Sequence, residues 1–124
     1  ERKRRTNQVE LHVFLHNAPI VDHCTAKGIR MTAYSPLARG AVADDPVLAR
    51  IGAEIGGTAS QVALAWLLAK GHVVVPSAGA QPRIAENFEA QNLSLEDAHL
   101  AEIDRLDREM RLVDGPWCPI WDAA

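Results

Sequence analysis

Residues 29–36 read IRMTAYSP, and this stretch decides the class of fold. Its first six residues are mainly apolar or β-branched, which is typical of a strand. The proline at position 36 ends that strand because it disfavours helix for the residue before it and cannot join a strand ladder. Gly28, just before the stretch, suits the left-handed end of a helix. The stretch therefore predicts a strand over 29–34 that follows a helix and leads into a loop.

On the amino-terminal side, the chain predicts an earlier strand and the helix that joins the two. Residues 6–15 (TNQVELHVFL) alternate apolar and other side chains with a period near two, which indicates a strand. Asn17 is placed to cap a helix, and Pro19 suits its first turn. An apolar stripe on this helix consists of Ile20, Val21 and Cys24.

After a loop through Gly40, the chain predicts two consecutive helices. Residues 45–46 (DP) begin the first helix, and residues 56–57 (GG) end it. Thr58 and Gln61 form a capping box, in which each side chain satisfies a free backbone N–H group of the other residue. This box begins a second helix that extends through Lys70.

A third strand and two further helices complete the pattern. Residues 72–76 (HVVVP) are almost wholly apolar, as expected for a strand that a parallel sheet covers on both faces. Pro82 opens one helix, and Ser94 with Asp97 is expected to cap the last one. The apolar face of this last helix consists of Leu100, Ile103 and Leu106.

The alternation of strands and helices predicts an α/β fold with parallel strands joined by right-handed crossovers. Three parallel strands with exposed edges make a poor complete domain. They would be a natural part of a (β/α)₈ TIM barrel, which typically needs about 250 residues. The chain has 124 residues, which fits about half of such a barrel. We therefore expect about three βα units followed by a tail.

Composition excludes several classes of protein. The chain is 48% hydrophobic and 23% charged with a net charge of −3, so it is neither disordered nor strongly attracted to nucleic acid or membranes. The basic start ERKRR, residues 1–5, is expected to be a solvated terminus; the alternative is a nucleic-acid arm. Cys24 and Cys118 make no disulfide framework, and the cytoplasm is the expected location. Because the chain begins with Glu1, we expect a processed product or a fragment.

Functional groups of a barrel collect at the carboxyl ends of the strands and in the loops that follow. At the start of the first strand, Asn7 and Gln8 offer amide donors and acceptors that could read a carboxamide, or could complete a backbone network. Tyr34 offers a flat face for stacking an aromatic ligand, but spacing alone favours a role in lining the core. Ser35 and the amides after it could hold a phosphate oxygen.

The third strand leads into a further candidate site. Residues 76–87 (PSAGAQPRIAEN) join a loop of small residues to the start of a helix, which is a favourable place for an anion. Arg83 lies in the first turn of that helix, where the helix dipole disfavours a cation. This placement suggests a partner anion, and an exposed surface arginine is the alternative.

No metal site is predicted. His12 and His16 are four residues apart, a spacing that brings ligands together only on a helix, and the alternating pattern argues against a helix there. The glycine-rich GxGxxG loop of dinucleotide-binding α/β folds is also absent from the sequence. Any nucleotide would therefore have to bind by another architecture.

Several motifs, taken in their order and spacing, resemble the second half of an aldo-keto reductase. Most of the chain after Arg5 takes part in this resemblance. The motifs are TNQVELHVFL (6–15), KGIRMTAYSPLARG (27–40), TASQVALAWLL (58–68), VVVPS (73–77) and RIAENF (83–88). Two others, EAQNLSLED (89–97) and RLVDGPWCPIWD (111–122), resemble the branch of the family that contains 2,5-diketo-D-gluconic acid reductases.

The resemblance implies a (β/α)₈ barrel that binds NADPH and reduces aldehydes, ketones or keto-sugar acids to alcohols. It implies that Gln8 bonds the nicotinamide carboxamide and that Tyr34 stacks on the nicotinamide ring. The other implied contacts are Ser35 and Leu37 for the pyrophosphate, Arg83 for the 2′-phosphate, and Glu86 and Asn87 for the adenine. Residues 112–124, with Trp117 and Trp121, would form the C-terminal substrate loop.

The chain departs from the family pattern in two respects. Ser77 stands where many relatives have a lysine that pairs with the 2′-phosphate, so NADH is an alternative cofactor. The family's catalytic Asp, Tyr, Lys and His belong to the first half of the barrel, so no catalytic residue is assigned here. We expect the chain alone to be inactive and to need a missing N-terminal half-barrel. The alternative is a non-catalytic half-barrel that associates with itself.

Overall fold

The computed structural model of the protein describes residues 6–75 and 81–112. Three strands alternate with helices along the described chain, as the sequence predicts. The strands are β1 (Thr6–Glu10), β2 (Arg30–Tyr34) and β3 (Val73–Val75). The helices are α1 (Ala18–Ala26), α2 (Pro46–Ile55), α3 (Ala59–Ala69), α4 (Gln81–Glu89) and α5 (Asp97–Asp104), with 3₁₀ turns at Ala38–Asp44 and Ala90–Asn92.

The three strands form one parallel sheet in the order β1-β2-β3. Gln8 lies opposite Thr32, and Tyr34 lies opposite both Glu10 and Val75. Helix α1 connects β1 to β2, and α2 with α3 connects β2 to β3. The predicted α/β class with parallel strands is therefore confirmed.

Helices cover one face of this sheet. Met31 and Ala33 of β2 point to that face and are buried, and Cys24 of α1 is buried there and is not in a disulfide. Burial of each larger apolar side chain contributes about 1.5–3 kcal/mol to folding. Side chains from α2, α3 and α5 complete the core, among them Leu48, Ile51, Val62, Leu67 and Ile103.

The first strand is shorter than predicted. Residues 6–15 were expected to form a strand, but β1 ends at Glu10, and residues 11–15 form a tight loop. His12 and Leu15 exchange two backbone hydrogen bonds of 3.1 and 3.0 Å across this loop. All the side chains from Leu11 to Leu15 are buried. The loop is thus covered on every side, so its apolar pattern does not report a strand.

Helix starts follow the predicted capping residues at two positions and differ at two others. The Asp45 carboxylate accepts the Leu48 N–H at 3.0 Å and begins α2, as predicted. The expected cap at Ser94 is wrong, because Glu96 occupies the N-cap position of α5. Asn17 precedes α1, but its side chain donates to the Glu10 carbonyl at 2.7 Å instead of capping the helix.

The corner between α2 and α3 is closely packed. A Cβ atom on Gly52 would lie 2.6 Å from the Gly57 carbonyl oxygen, a distance that forces the backbone to shift. Gly56 has φ +83°, in the left-handed region that favours glycine. These glycines bring the chain round sharply and place Thr58 at the start of α3, where the predicted capping box with Gln61 is present.

Candidate functional site

Gln8, in the middle of β1, and Tyr34, at the carboxyl end of β2, lie on the same face of the sheet. Side chains of paired parallel residues point the same way, and residues two apart on a strand share a face. Gln8 pairs with Thr32, which precedes Tyr34 by two residues, so all three point away from the helix-covered face. Strand spacing and rise put the Cα atoms of Gln8 and Tyr34 roughly 8 Å apart. Gln8 is exposed and Tyr34 is half-buried.

The loop after β2 contains an unusual run of left-handed residues. Ser35, Ala38 and Arg39 have φ of +51°, +50° and +52°, although none of them is a glycine. Such conformations cost of order 1–3 kcal/mol each and tend to cluster at ligand sites. The Ala38 N–H donates to the Ser35 carbonyl at 2.9 Å, and Leu37 packs against the core. These contacts hold Ser35 and Leu37 together at the carboxyl end of β2.

Glu86 and Asn87 lie on α4 and are both half-buried. The Thr58 hydroxyl donates to Glu86 Oε1 at 2.7 Å, and Gln61 Nε2 donates to the Glu86 carbonyl oxygen at 2.9 Å. The first turn of α3 therefore fixes both the side chain and the backbone of Glu86.

Several predicted site residues lie outside the described part of the chain. Ser77, Trp117 and Trp121 belong to residues 76–80 and 113–124. Arg83 lies within α4, but its side chain is outside the described part. The roles expected of these residues remain predictions.

Sequence reasoning assigned no role to Glu10, which is one of the most buried residues at this end of the sheet. Its side chain is 1% exposed. Its carboxylate accepts the Leu112 N–H at 3.1 and 2.9 Å and lies 2.8 Å from His12 Nε2. The signal in the sequence was an acidic residue inside an apolar run, since a buried acid requires donors around it.

The protonation of His12 follows from its two contacts. Its Nδ1 accepts the Phe14 N–H at 3.2 Å, so Nε2 carries the proton and donates to Glu10. Burial lowers the pKa of His12, and the neighbouring Glu10 carboxylate opposes this effect without reversing it. His12 is therefore neutral at pH 7, and Glu10 accepts hydrogen bonds from two sides.

The segment after α5 lies against the loop that follows β1. The N–H groups of Arg108 and Met110 both donate to the Phe14 carbonyl at 3.0 Å. The Arg108 guanidinium lies 4.2 Å from the centre of the Phe14 ring, a favourable cation–π distance. Together with the bond from Leu112 to Glu10, these contacts bring residue 112 to the carboxyl end of β1.

The other histidine near this end also holds backbone. His16 Nε2 lies 2.8 Å from the Val13 carbonyl, and its ring centre lies 4.6 Å from that of Trp66. Within residues 6–75 and 81–112, no group of three or more His, Cys, Asp or Glu residues is arranged to hold a metal ion. No helix in the same ranges is long and apolar enough to cross a membrane.

Comparison with solved structures defines the class of protein first. The protein is similar to a candidate 2,5-diketo-D-gluconic acid reductase B, with a TM-score of 0.89, 35% identity and coverage of 95% of this chain. It is also similar to Gox0644, solved in complex with NADPH as a D53A mutant, with a TM-score of 0.80, 28% identity and coverage of 84% of this chain. The class is that of the TIM-barrel oxidoreductases.

The family follows from the sequence. The family model described as "Aldo/keto reductase family" matches residues 3–108, and the chain belongs to this family. The protein is 41% identical over 119 residues to methylglyoxal reductase DkgB from Yersinia pestis, an alignment that covers 94% of this chain.

The protein matches only part of each of these relatives. The alignments cover 44% of the Yersinia pestis reductase, 43% of the candidate 2,5-diketo-D-gluconic acid reductase B and 38% of Gox0644. The chain thus spans less than half the length of the relatives it matches.

Proposed function

We propose that residues 1–124 form the C-terminal cofactor-binding part of an NADPH-dependent aldo-keto reductase. The observation that carries this proposal is the placement of Gln8, in the middle of β1, and Tyr34, at the carboxyl end of β2, on the same face of the sheet. An amide and an aromatic ring at this separation suit the carboxamide and the flat ring of a nicotinamide. A NADPH complex of a structural neighbour supports the choice of cofactor.

The remaining cofactor contacts follow the family resemblance. Ser35 and Leu37 would line the pyrophosphate, and the left-handed backbone at Ser35 turns the loop there. Arg83 would hold the 2′-phosphate, with Glu86 and Asn87 at the adenine. Because Ser77 brings no charge where relatives have a lysine, we propose a weaker preference for NADPH over NADH than in those relatives.

The proposed reaction is reduction of a small aldehyde or ketone. The similarity to a methylglyoxal reductase favours short 2-oxoaldehydes, and keto-sugar acids are the alternative. The cofactor supplies hydride, while the protein supplies geometry and a proton. Trp117 and Trp121, in the proposed substrate loop 112–124, would contact the carbonyl compound. The chain contains no residue matched to the catalytic Asp, Tyr, Lys and His, so we propose that residues 1–124 alone are inactive. We propose the cytoplasm as the location of the protein.

Titration of NADPH against the protein, followed by cofactor fluorescence, tests the proposed binding site. Tyr34→Ala removes the stacking face and should weaken NADPH binding by up to about tenfold, in line with the roughly 0.5–1.5 kcal/mol of an aromatic contact. Tyr34→Phe keeps the ring and is the matched control. Gln8→Ala should weaken binding by a smaller factor. Equal affinities for the wild type and Tyr34→Ala would exclude the site.

A non-catalytic half-barrel is the second candidate, and the sheet edges favour it. In the described sheet, β1 and β3 each pair on one side only. Leu68, Val73 and Phe88 are exposed by 42%, 40% and 67%. Self-association, or pairing with an N-terminal half-barrel, would cover such edges. Sedimentation equilibrium decides this: a monomer near 13.5 kDa across the concentration range would remove self-association.

A further inference from the structure

We infer that Thr58, with Gln61, is a positioning residue for the adenine end of the cofactor site, acting through Glu86. The inference rests on the proposed function, in which Glu86 contacts the adenine. Glu86, which would contact the adenine, lies on α4. Thr58 and Gln61, which orient Glu86, lie at the start of α3.

The capping box of α3 contributes more hydrogen bonds than a cap requires. Thr58 Oγ1 accepts the Gln61 N–H at 3.1 Å, and Gln61 Oε1 accepts the Thr58 N–H at 2.9 Å. These two bonds complete the box and use only the acceptors of the two side chains. The hydroxyl proton of Thr58 and the Nε2 protons of Gln61 are left to donate elsewhere.

Both side chains direct a donor at Glu86. The Thr58 hydroxyl donates to Glu86 Oε1 at 2.7 Å, and Gln61 Nε2 donates to the Glu86 carbonyl at 2.9 Å. One bond fixes the rotamer of the carboxylate and the other fixes its backbone. With Oε1 engaged, the carboxylate keeps Oε2 as an acceptor, which is the group that an exocyclic amine of a purine needs.

The surrounding packing keeps the box in place. A Cβ atom on Gly57 would lie 2.7 Å from Leu93 Cδ1 and 3.1 Å from Gln61 Oε1, so the box is confined between the α2–α3 corner and the segment after α4. A side chain that is fixed before the ligand arrives loses less freedom on binding. The arrangement should therefore strengthen binding of the adenine end by about three- to tenfold.

Three substitutions at one position separate helix capping from the orientation of Glu86. Thr58→Ser keeps the acceptor and the donor. Thr58→Asp keeps a good N-cap acceptor but places a carboxylate against Glu86 and donates nothing to it. Thr58→Ala removes both the capping acceptor and the donor to Glu86. Far-ultraviolet circular dichroism and urea unfolding of each variant report the helix, independently of cofactor binding.

The decisive measurement compares the binding of two ligands to the full-length protein. Dissociation constants are measured for NADPH and for reduced nicotinamide mononucleotide, which lacks the adenosine half of NADPH, that is, the adenine, its ribose with the 2′-phosphate, and one phosphate of the pyrophosphate. We expect Thr58→Asp to weaken NADPH binding about three- to tenfold and to leave binding of the mononucleotide unchanged. Thr58→Ser should bind both as the wild type does.

The outcomes distinguish the inference from the function on which it rests. Equal NADPH affinities for the wild type and Thr58→Asp would overturn the inference and leave the proposed function standing. An equal loss for both cofactors would also overturn it, because a general structural defect does not discriminate between them. A wild type that binds neither cofactor would reject the proposed function, and the inference with it.

Discussion

Two charged clusters tie the early part of the chain to residues near its carboxyl end, and they differ in burial. One joins Glu10 to His12 and to the Leu112 backbone at the carboxyl end of β1. The other joins Arg50 and Glu54 of α2 to α5, where Arg50 pairs with Glu102 and Glu54 lies 3.0 Å from His99. The exposed fraction is 1% for the Glu10 side chain but 47% for Arg50 and 46% for Glu54.

The difference shows that proximity of charges says little about their contribution to stability. A solvated pair exchanges one set of good partners for another, so its net contribution is small and falls with added salt. A buried group is not accessible to water. If its hydrogen-bond partner is removed, water cannot replace that partner and the group stays unsatisfied. We therefore expect the protein to depend on Glu10 far more than on Arg50.

The largest effect is expected from Glu10→Ala. The change leaves the Leu112 N–H and the His12 Nε2 proton without their acceptor, at about 1–3 kcal/mol each, so the free energy of unfolding should fall by roughly 2–6 kcal/mol. Urea unfolding followed by circular dichroism measures this. Glu10→Gln is the matched control and should lose less, because one amide oxygen remains. A loss below about 1 kcal/mol for Glu10→Ala would contradict the importance of burial.

A pH series separates the two clusters. Burial lowers the pKa of His12 below its ordinary value of 6.5. The stability that the neutral ring contributes is therefore complete above pH 6.5 and is lost as the pH falls from there through the pKa of His12 in the folded protein. Hydrogen bonds from His99 and Arg50 lower the pKa of Glu54. The stability that the Glu54 carboxylate contributes is therefore lost only below pH 4.5. Urea midpoints measured from pH 8 to 4 should therefore fall first in the His12 range.

The variant His12→Gln sharpens this pH series. Burial also lowers the pKa of His72, so the substitution should reduce the loss of stability just below pH 6.5 without abolishing it. Glu54→Gln is the control and should leave that range unaltered. An identical pH profile for His12→Gln and the wild type would show that His12 does not titrate on unfolding.

The pair of Asp45 and Arg108 lies between the two extremes, because only one partner is buried. The side chains are 4% and 51% exposed, and the charged atoms lie 3.1 Å apart. Asp45 also caps α2, so Asp45→Ala should lower the free energy of unfolding by about 1–2 kcal/mol. Asp45→Asn keeps a capping acceptor and should cost clearly less. Equal losses for the two variants would assign the effect to the charge instead of the cap.

The smallest effect is expected at the exposed cluster. Arg50→Gln removes the pairs with Glu54 and Glu102, yet all three side chains are more than one third exposed. We expect the urea midpoint to stay within experimental error of the wild type, and any difference at low salt to disappear at 1 M NaCl. A salt-resistant loss comparable to that of Glu10→Ala would remove the contrast between the clusters.

Local features of the fold were predictable from the sequence because their causes are local. The capping box of Thr58 and Gln61 and the cap at Asp45 involve residues three apart, so their pattern is visible in the sequence. At α5 the local preference was misleading. Ser94 is a preferred N-cap residue, but Glu96 occupies the N-cap position, so the residue type did not locate the start of this helix.

Features that depend on distant contacts could not be read in the same way. The end of β1 at Glu10 and the burial of residues 11–15 depend on the segment 108–112, which covers that loop. The faces of Gln8 and Tyr34 could be anticipated from the alternation of a strand. The bonds from Thr58 and Gln61 to Glu86 could not, because nothing in either motif specifies its neighbour.

The bond between Leu112 and Glu10 also has a consequence for synthesis on the ribosome. Its partners are 102 residues apart in the sequence, so the carboxylate is made well before its backbone donor. Until residue 112 leaves the exit tunnel, the Glu10 carboxylate lacks one of its hydrogen-bond donors. It must then either be buried at a cost in free energy or stay exposed to water. We expect the loop after β1 to close only once Leu112 has left the exit tunnel, and nascent chains that stall before this point to remain sensitive to protease at this loop.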